Sequence, residues 1–273
     1  LIRGTVRSGW QALGAGWLGA YVVMNGSLVA ALALTVLVDV LPSVHLFLLV
    51  SGSRLGAAAV VILVGAFDHV HHRGRSIAES CGLGSLTFLV THLVYLPATV
   101  LGVIWTRTDW FPRTAGSATS IAPEGALRGA GGFYSLLEAA GPVVSVVAGA
   151  LLLLVSLRLF DRVLDTLDME GIRRRYFRKL GNRWVSFGTG FLLTAVTTSI
   201  AFSVAVLVPL YNRRHLRREE LVPYLLGANL STLADTFLVA VLSGSARAME
   251  VTLLVFGTAA ICTAGVLLAH RPV

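Results

Sequence analysis

Polar side chains interrupt a long apolar segment near the C-terminal end of the chain. Residues 221–243 are long enough to cross a bilayer, yet their centre is rich in polar and small residues. These residues are Gly227, Asn229, Ser231, Thr232 and Asp235. Hydroxyl and free carbonyl oxygens suit small cations such as Na⁺, and free N–H groups at the start of a helix suit anions. The pattern therefore predicts an element that binds small ions inside the membrane.

An arginine inside another apolar segment is the second unusual feature. Arg54 lies within residues 44–67, where a charged side chain costs at least about 2.5–3.5 kcal/mol on membrane insertion. Such a side chain needs a partner or a water-filled cavity. An ion pair with Asp235 would supply a partner, whereas a bound anion would use the guanidinium, whose geometry matches that of phosphate. The sequence leaves both interpretations open.

The composition indicates which elements must hold these residues. Hydrophobic residues make up 55% of the chain and charged residues only 13%, compared with about 25% charged residues in soluble domains. Five apolar runs have the length of a membrane-spanning helix: residues 44–67, 81–105, 133–157, 221–243 and 250–268. They are too continuously apolar for a β-barrel, so we predict an all-α polytopic protein of the cytoplasmic (plasma) membrane. The net charge of +8 lies in the loops and indicates topology rather than nucleic-acid binding.

The chain contains an internal repeat. The segment "GAGWLGAYVVMNGS" (14–27) resembles "GTGFLLTAVTTSIA" (188–201), which aligns Gly16 with Gly190 at an offset of 174 residues. A second match aligns Gly52 with Gly227 at an offset of 175 residues. Two matches at nearly one offset indicate a duplicated unit. We therefore divide the chain into a first repeat (1–105), a connecting region (106–186) and a second repeat (187–273).

Charged loops predict how each repeat crosses the membrane. The arginine-rich segments 158–184 and 211–220 should both be cytoplasmic, although only the apolar block 187–210 separates them. We therefore expect this block to be a re-entrant hairpin, and the equivalent block 11–41 to be another. Following the spans along the chain gives the two repeats opposite orientations in the membrane.

Each predicted repeat also contains a helix that glycine interrupts. The hairpin tips are expected at residues 24–27 and 197–200, and the broken helices at "GSRLG" (52–56) and "GANLST" (227–232). Inverted repeats whose discontinuous helices meet at the middle of the membrane are typical of secondary transporters. The predicted fold thus has two inverted repeats, each with a re-entrant helical hairpin and a broken transmembrane helix.

The same motifs resemble those of the type II sodium–phosphate cotransporter family. That family repeats a G-x-x-x-T-A motif, a Gln-Ser-Ser-Ser hairpin tip and a G-A-N-I-G-T motif. The second copy here matches at Gly190, Thr194, Ala195, Thr198, Ser199, Gly227, Ala228, Asn229, Leu230 and Thr232. The first copy matches more weakly, at Gly16, Asn25, Ser27, Gly52, Leu55 and Gly56. The resemblance, over about 14–105 and 187–268, implies sodium-coupled phosphate uptake by alternating access.

The resemblance also implies a set of binding residues. The expected substrate- and ion-binding residues are Asn25, Ser27, Arg54, Thr198, Ser199, Asn229, Ser231 and Thr232. Two departures stand out, because several tip hydroxyls are missing and Arg54 stands where the family has asparagine. These departures leave two alternatives: a transporter of another anion with altered ion coupling, or a transport-inactive membrane scaffold or regulator. If Arg54 replaces a bound sodium ion electrostatically, transport would no longer need that ion.

Other chemistry is not expected. The sequence has no evident nucleophile–base pair, nucleotide loop or redox motif, so we do not expect an enzyme. His69, His71 and His72 are interpreted as a solvated loop rather than a metal site. We expect no cofactor beyond Na⁺ as the coupling ion. The expected partners are phosphate or a similar small anion, sodium and membrane lipid, without nucleic acid, and a homo-oligomer is compatible with the sequence.

Overall fold

A computed structural model describes residues 8–71, 77–108, 182–197 and 218–270, together with isolated positions between 141 and 207. For residues 63–71, 77–81 and 218–220 it describes the backbone alone. These residues form eight helices. They are α1 (Gly9–Val23), α2 (Gly26–Val36), α3 (Ser43–His71), α4 (Ile77–Trp105), α5 (Arg183–Thr197), α6 (Arg218–Ser231), α7 (Leu233–Ser243) and α8 (Ala246–Ala269).

Four segments of this helical fold are long and apolar enough to cross a membrane. They are Ser43–Ile62, Gly82–Trp105, Leu221–Ser243 and Ala246–Ala269. They lie within or close to four of the five predicted spans, and α3 continues beyond the predicted end to His71. The fifth predicted span, 133–157, falls outside the described residues apart from isolated positions. The prediction of an all-α polytopic membrane protein is therefore confirmed for the part of the chain that the structure describes.

Helices α1 and α2 are joined by a two-residue turn. Ser8 begins α1 through a capping box with Gln11. Met24 ends α1 in the left-handed conformation with φ of 53°, and Asn25 then caps α2 by accepting a hydrogen bond from the Leu28 N–H at 3.0 Å. The turn thus falls within residues 24–27, where the sequence predicts a hairpin tip.

Glycines allow α1 to cross α3 at very short range. A Cβ atom built on Gly16 would lie 2.0 Å from the carbonyl oxygen of Leu49, and one built on Gly52 would lie 2.1 Å from the carbonyl oxygen of Leu13. No side chain fits at either position. Small residues at such crossings let the two backbones touch, which is a common way to pack helices in membranes.

Helices α5 and α6 cross in the same way. A Cβ atom on Gly190 would lie 2.1 Å from the carbonyl oxygen of Tyr224, and one on Gly227 would lie 2.0 Å from the carbonyl oxygen of Phe187. All four residues stand at offsets of 174 or 175 from their counterparts in the first crossing. The same helix contact therefore occurs twice, at the offsets that the sequence alignment predicts.

The structure corrects one of the two predicted broken helices and interrupts the other inside its predicted range, 227–232. Helix α3 runs without interruption through residues 52–56, and α6 runs through Gly227. The only interruption in the second segment is Thr232, whose backbone keeps helical angles (φ −62°, ψ −13°) and whose N–H still donates to the Ala228 carbonyl at 3.2 Å. The prediction was wrong for residues 52–56 because a glycine costs a helix only about 1 kcal/mol, which close backbone packing can offset.

Helices α3 and α6 occupy the centre of the described bundle. Helix α3 packs against α1, α2, α4 and α8, whereas α6 packs against α4, α5, α7 and α8. The first repeat meets the second where α2 packs on α7 and where α8 packs on α3 and α4. Buried polar groups on α3, α6 and α7 therefore lie at the junction of the two repeats.

Candidate functional site

Arg54 forms the centre of a polar cluster between the repeats. Its side chain extends from α3, and the residue is only 4% exposed. Its Nη1 donates to the Ser27 hydroxyl at 3.0 Å, and its Nη2 donates to Asp235 Oδ1 at 3.2 Å. Nη2 also donates to the hydroxyl of Thr236. The cluster thus joins α2 and α3 of the first repeat to α7 of the second.

The charge of Arg54 is compensated directly by Asp235. The two side chains form an ion pair, and the Asp235 side chain is 19% exposed. Asp235 Oδ1 also accepts a hydrogen bond from the Thr236 hydroxyl at 3.0 Å, so the carboxylate and the hydroxyl are held together. Because both charges lie inside the bundle, loss of one partner would leave the other uncompensated, at a cost of about 3–5 kcal/mol.

Three buried polar atoms of α3, α6 and α7 have no hydrogen-bond partner in the described structure. They are Arg54 Nε, Asp235 Oδ2 and Ser231 Oγ, the last from a residue that is 2% exposed. An unsatisfied buried polar group costs about 1–3 kcal/mol, so groups of this kind are typical of positions that bind a ligand, an ion or water. The cluster therefore has donors and an acceptor beyond those that hold it together.

Asn229 forms a second polar centre, on α6. Its Oδ1 accepts from the Thr91 hydroxyl at 2.7 Å, and its Nδ2 donates to the Leu225 carbonyl at 2.9 Å. Its backbone carbonyl accepts from the Tyr95 hydroxyl at 3.2 Å and from the Thr232 hydroxyl at 2.7 Å. Asn229 therefore ties α6 to α4. Both polar atoms of its amide are bonded to protein, and the residue is only 3% exposed.

The predicted site residues have different places in the structure. Ser27 and Arg54 contact each other, whereas Asn25 caps α2. Asn229 and Thr232 are hydrogen bonded to one another, and Ser231 lies between them with its hydroxyl unpartnered. Thr198 and Ser199 lie outside the described residues. Thr194, one turn before that predicted tip, is buried, and its hydroxyl lacks a partner in the described part of the chain.

Three polar residues around Arg54 and Asn229 were not predicted from the sequence. Thr236 follows Asp235 directly, and a hydroxyl next to a membrane carboxylate was the available signal. Thr91 and Tyr95 belong to a buried stripe on α4 that begins at Thr87, with successive members four positions apart. Polar residues at helical spacing on one face of an apolar span indicate a face turned towards the protein interior.

The helices and the polar centres define a class of protein. Four helices that can cross a membrane enclose buried hydroxyl, amide and charged groups, which is the arrangement of a polytopic protein that handles polar solutes. A family model described as Na+/Pi-cotransporter matches residues 152–270. The matched part contains α5 to α8, and through it the chain is similar to the Na+/Pi-cotransporter family, a family of transporters and not of enzymes.

The match has a clear extent. It begins at residue 152, so α1 to α4 lie outside it. Comparisons with curated proteins and with solved structures return no match. The family supports sodium-coupled phosphate transport in general, with phosphate and sodium as the transported solutes, by a multi-pass membrane protein.

Proposed function

We propose that this chain takes up inorganic phosphate together with sodium by alternating access, around a site between the two repeats near the middle of the membrane. The observation that carries the proposal is the polar cluster of Arg54, in a chain whose residues 152–270 match the Na+/Pi-cotransporter family model. The cluster joins both repeats, and unsatisfied donors and an acceptor remain in it. A site at a repeat junction can be exposed to each side in turn when helices around it move.

The lengths of the short helices support re-entrant hairpins. Helix α1 has 15 residues and α2 has 11, which correspond to about 22 Å and about 16 Å at 1.5 Å per residue. Both are shorter than the hydrocarbon core of about 30 Å. We therefore propose that α1 and α2 enter and leave on one side, that α5 begins the equivalent hairpin, and that the two repeats are inverted. The protein would be a multi-pass component of the cytoplasmic membrane.

The unsatisfied donors suit phosphate. Three of the five N–H donors of Arg54 are bound by protein oxygens, so Nε–H and one Nη1–H remain as donors in the described structure. The free hydroxyl of Ser231 is a further donor, and the first turn of α2, which carries Ser27, contributes the positive end of a helix dipole. We propose that these groups bind phosphate oxygens, while Asp235 Oδ2 remains available to accept a hydrogen bond from a phosphate hydroxyl.

Uptake of labelled phosphate into proteoliposomes, with and without an inward sodium gradient, tests the proposal. We expect saturable uptake that depends on sodium. Uptake that does not depend on sodium would still support the anion site, and would indicate that Arg54 supplies the positive charge that compensates the anion. If folded protein showed no uptake, phosphate transport would be the wrong function.

Two substitutions locate the site. Ser231→Ala should weaken phosphate binding, because it removes a buried donor. Thr263→Val is the matched control: it also removes a buried hydroxyl without a described partner, but from α8, which contributes no residue to the proposed site. Arg54→Gln should abolish phosphate binding by the purified protein. Normal binding with a lower yield of folded protein would indicate that Arg54 is purely structural.

A transport-inactive scaffold or regulator is the second candidate. One observation favours it: the guanidinium of Arg54 is held by groups of both repeats, which would resist movement between them. Phosphate binding by the purified protein separates the two functions. A folded protein that does not bind phosphate would support the scaffold.

A further inference from the structure

The guanidinium of Arg54 lies in a cage of oxygen atoms. The cage consists of the Asp235 carboxylate and the hydroxyls of Ser27 and Thr236. A carboxylate and neutral oxygen atoms are the ligands that hard metal cations prefer in proteins. Arg54 therefore presents its positive charge to a set of ligands that would also suit a small cation.

The positive charge of this cage belongs to the first repeat alone. At an offset of 175, the residue equivalent to Arg54 is Asn229. That side chain is neutral, and its amide is bonded to Thr91 and Leu225 rather than to a carboxylate. Arginine stays protonated in proteins and cannot leave its site, so the charge beside Asp235 is permanent.

We propose that Arg54 is a tethered cation, which occupies the place of one coupling sodium ion in the cage formed by Ser27, Asp235 and Thr236. This inference rests on the proposed sodium-coupled function and specifies its ion requirement. Because the guanidinium neutralises Asp235 in every state, the cage exchanges no sodium with the solution. Each transport cycle would then use one sodium ion fewer than the cycle of a variant that has a small, neutral side chain at position 54.

Removal of the guanidinium should create a sodium site. Purified Arg54→Ala would be unfolded at increasing NaCl, with N-methyl-D-glucamine chloride keeping the ionic strength constant. If Arg54→Ala gains one sodium site, the effect appears at sodium concentrations above the dissociation constant of that site. A tenfold rise in sodium should there lower the unfolding equilibrium constant of Arg54→Ala about tenfold more than that of the unsubstituted protein. The double variant Arg54→Ala/Asp235→Asn should lose this added dependence, because it lacks the carboxylate of the cage.

A second variant keeps the test decisive if Arg54→Ala does not fold without sodium. Folding of Arg54→Ala in sodium alone would itself support the proposal. If Arg54→Ala folds neither with sodium chloride nor with N-methyl-D-glucamine chloride, the sodium dependence of unfolding is measured on Asp235→Asn instead. With Arg54 present, that substitution should not reduce the number of sodium ions bound on folding. A loss of one ion would show that Asp235 already binds sodium, and would overturn the proposal.

The outcome is separate from that of the uptake experiment. Sodium-linked stability is measured without phosphate, so an added dependence in Arg54→Ala supports the tethered cation even if the unsubstituted protein takes up no phosphate. Conversely, phosphate uptake combined with a folded Arg54→Ala that shows no added sodium dependence would refute the tethered cation and leave the proposed function in place.

Discussion

The glycine crossing between α1 and α3 can be tested by adding a single methyl group. In Gly16→Ala, the new Cβ atom would lie 2.0 Å from the Leu49 carbonyl oxygen. Close contacts between aliphatic carbon and carbonyl oxygen are normally about 3.3–3.6 Å, so the two helices would have to separate by about 1.4 Å. Backbone atoms cannot rotate away as a side chain can. The substitution should therefore disturb the whole crossing.

Two opposing effects decide the magnitude. Alanine is favoured over glycine inside a helix by about 0.8–1.0 kcal/mol. Overpacking of a well-packed interface costs about 1–3 kcal/mol, and the backbone contact at Gly16 places this case at the upper end. We therefore expect Gly16→Ala to lower the free energy of unfolding by about 1–2 kcal/mol, even after the gain in helix propensity.

The same helix supplies the matched control. Gly14 lies two residues earlier on α1, and no atom lies within 4 Å of a Cβ atom built there. Gly14→Ala should therefore be neutral or stabilising by up to about 1 kcal/mol. The second repeat offers the equivalent pair, since Gly190 is crowded and Gly188 is open. All four variants would be compared by reversible denaturation in detergent. Equal stabilities of Gly16→Ala and Gly14→Ala would refute the close crossing.

Three further predictions concern single polar contacts, each measured by the same denaturation. Asn25→Ala should lower stability by about 1 kcal/mol through loss of the α2 cap, whereas Asn25→Ser should retain most of it. Thr91→Val should cost about 1–3 kcal/mol because it leaves the buried Asn229 oxygen without its donor; an unchanged stability would contradict the bridge from α6 to α4. Arg54→Gln or Asp235→Asn alone should cost about 3–5 kcal/mol, whereas the double variant should cost less than the sum; strict additivity would argue against a direct ion pair.

The membrane-spanning helices could be predicted from the sequence because the lipid imposes a simple rule. A membrane segment must satisfy its backbone within itself and present apolar side chains, so apolar runs of sufficient length predict helices directly. The turn at Met24 and Asn25 could be predicted equally well, since asparagine favours helix caps. The sequence offset also aligned Gly16 with Gly190, and both glycines lie at close helix crossings in the structure.

The role of the glycines was harder to predict. Gly52 and Gly227 were interpreted as helix breaks because glycine weakens helices, yet each marks a place where a second backbone comes close. Sequence shows that a side chain is missing, but not whether the space is filled by a neighbouring helix. The contribution of Thr236 was missed for a related reason, because a hydroxyl can satisfy itself within its own helix and gains a partner only through tertiary packing.

The ion pair between Arg54 and Asp235 restricts how the protein can move. It connects α3 to α7, and Ser27 brings α2 into the same cluster, while α2 also packs directly on α7. Separation of two opposite charges inside a membrane protein costs several kcal/mol unless water or another ion replaces the lost partner. We therefore expect α2, α3 and α7 to move together. Alternating access would then open between this group and other helices of the bundle, and the boundary between moving parts would differ from the boundary between the sequence repeats.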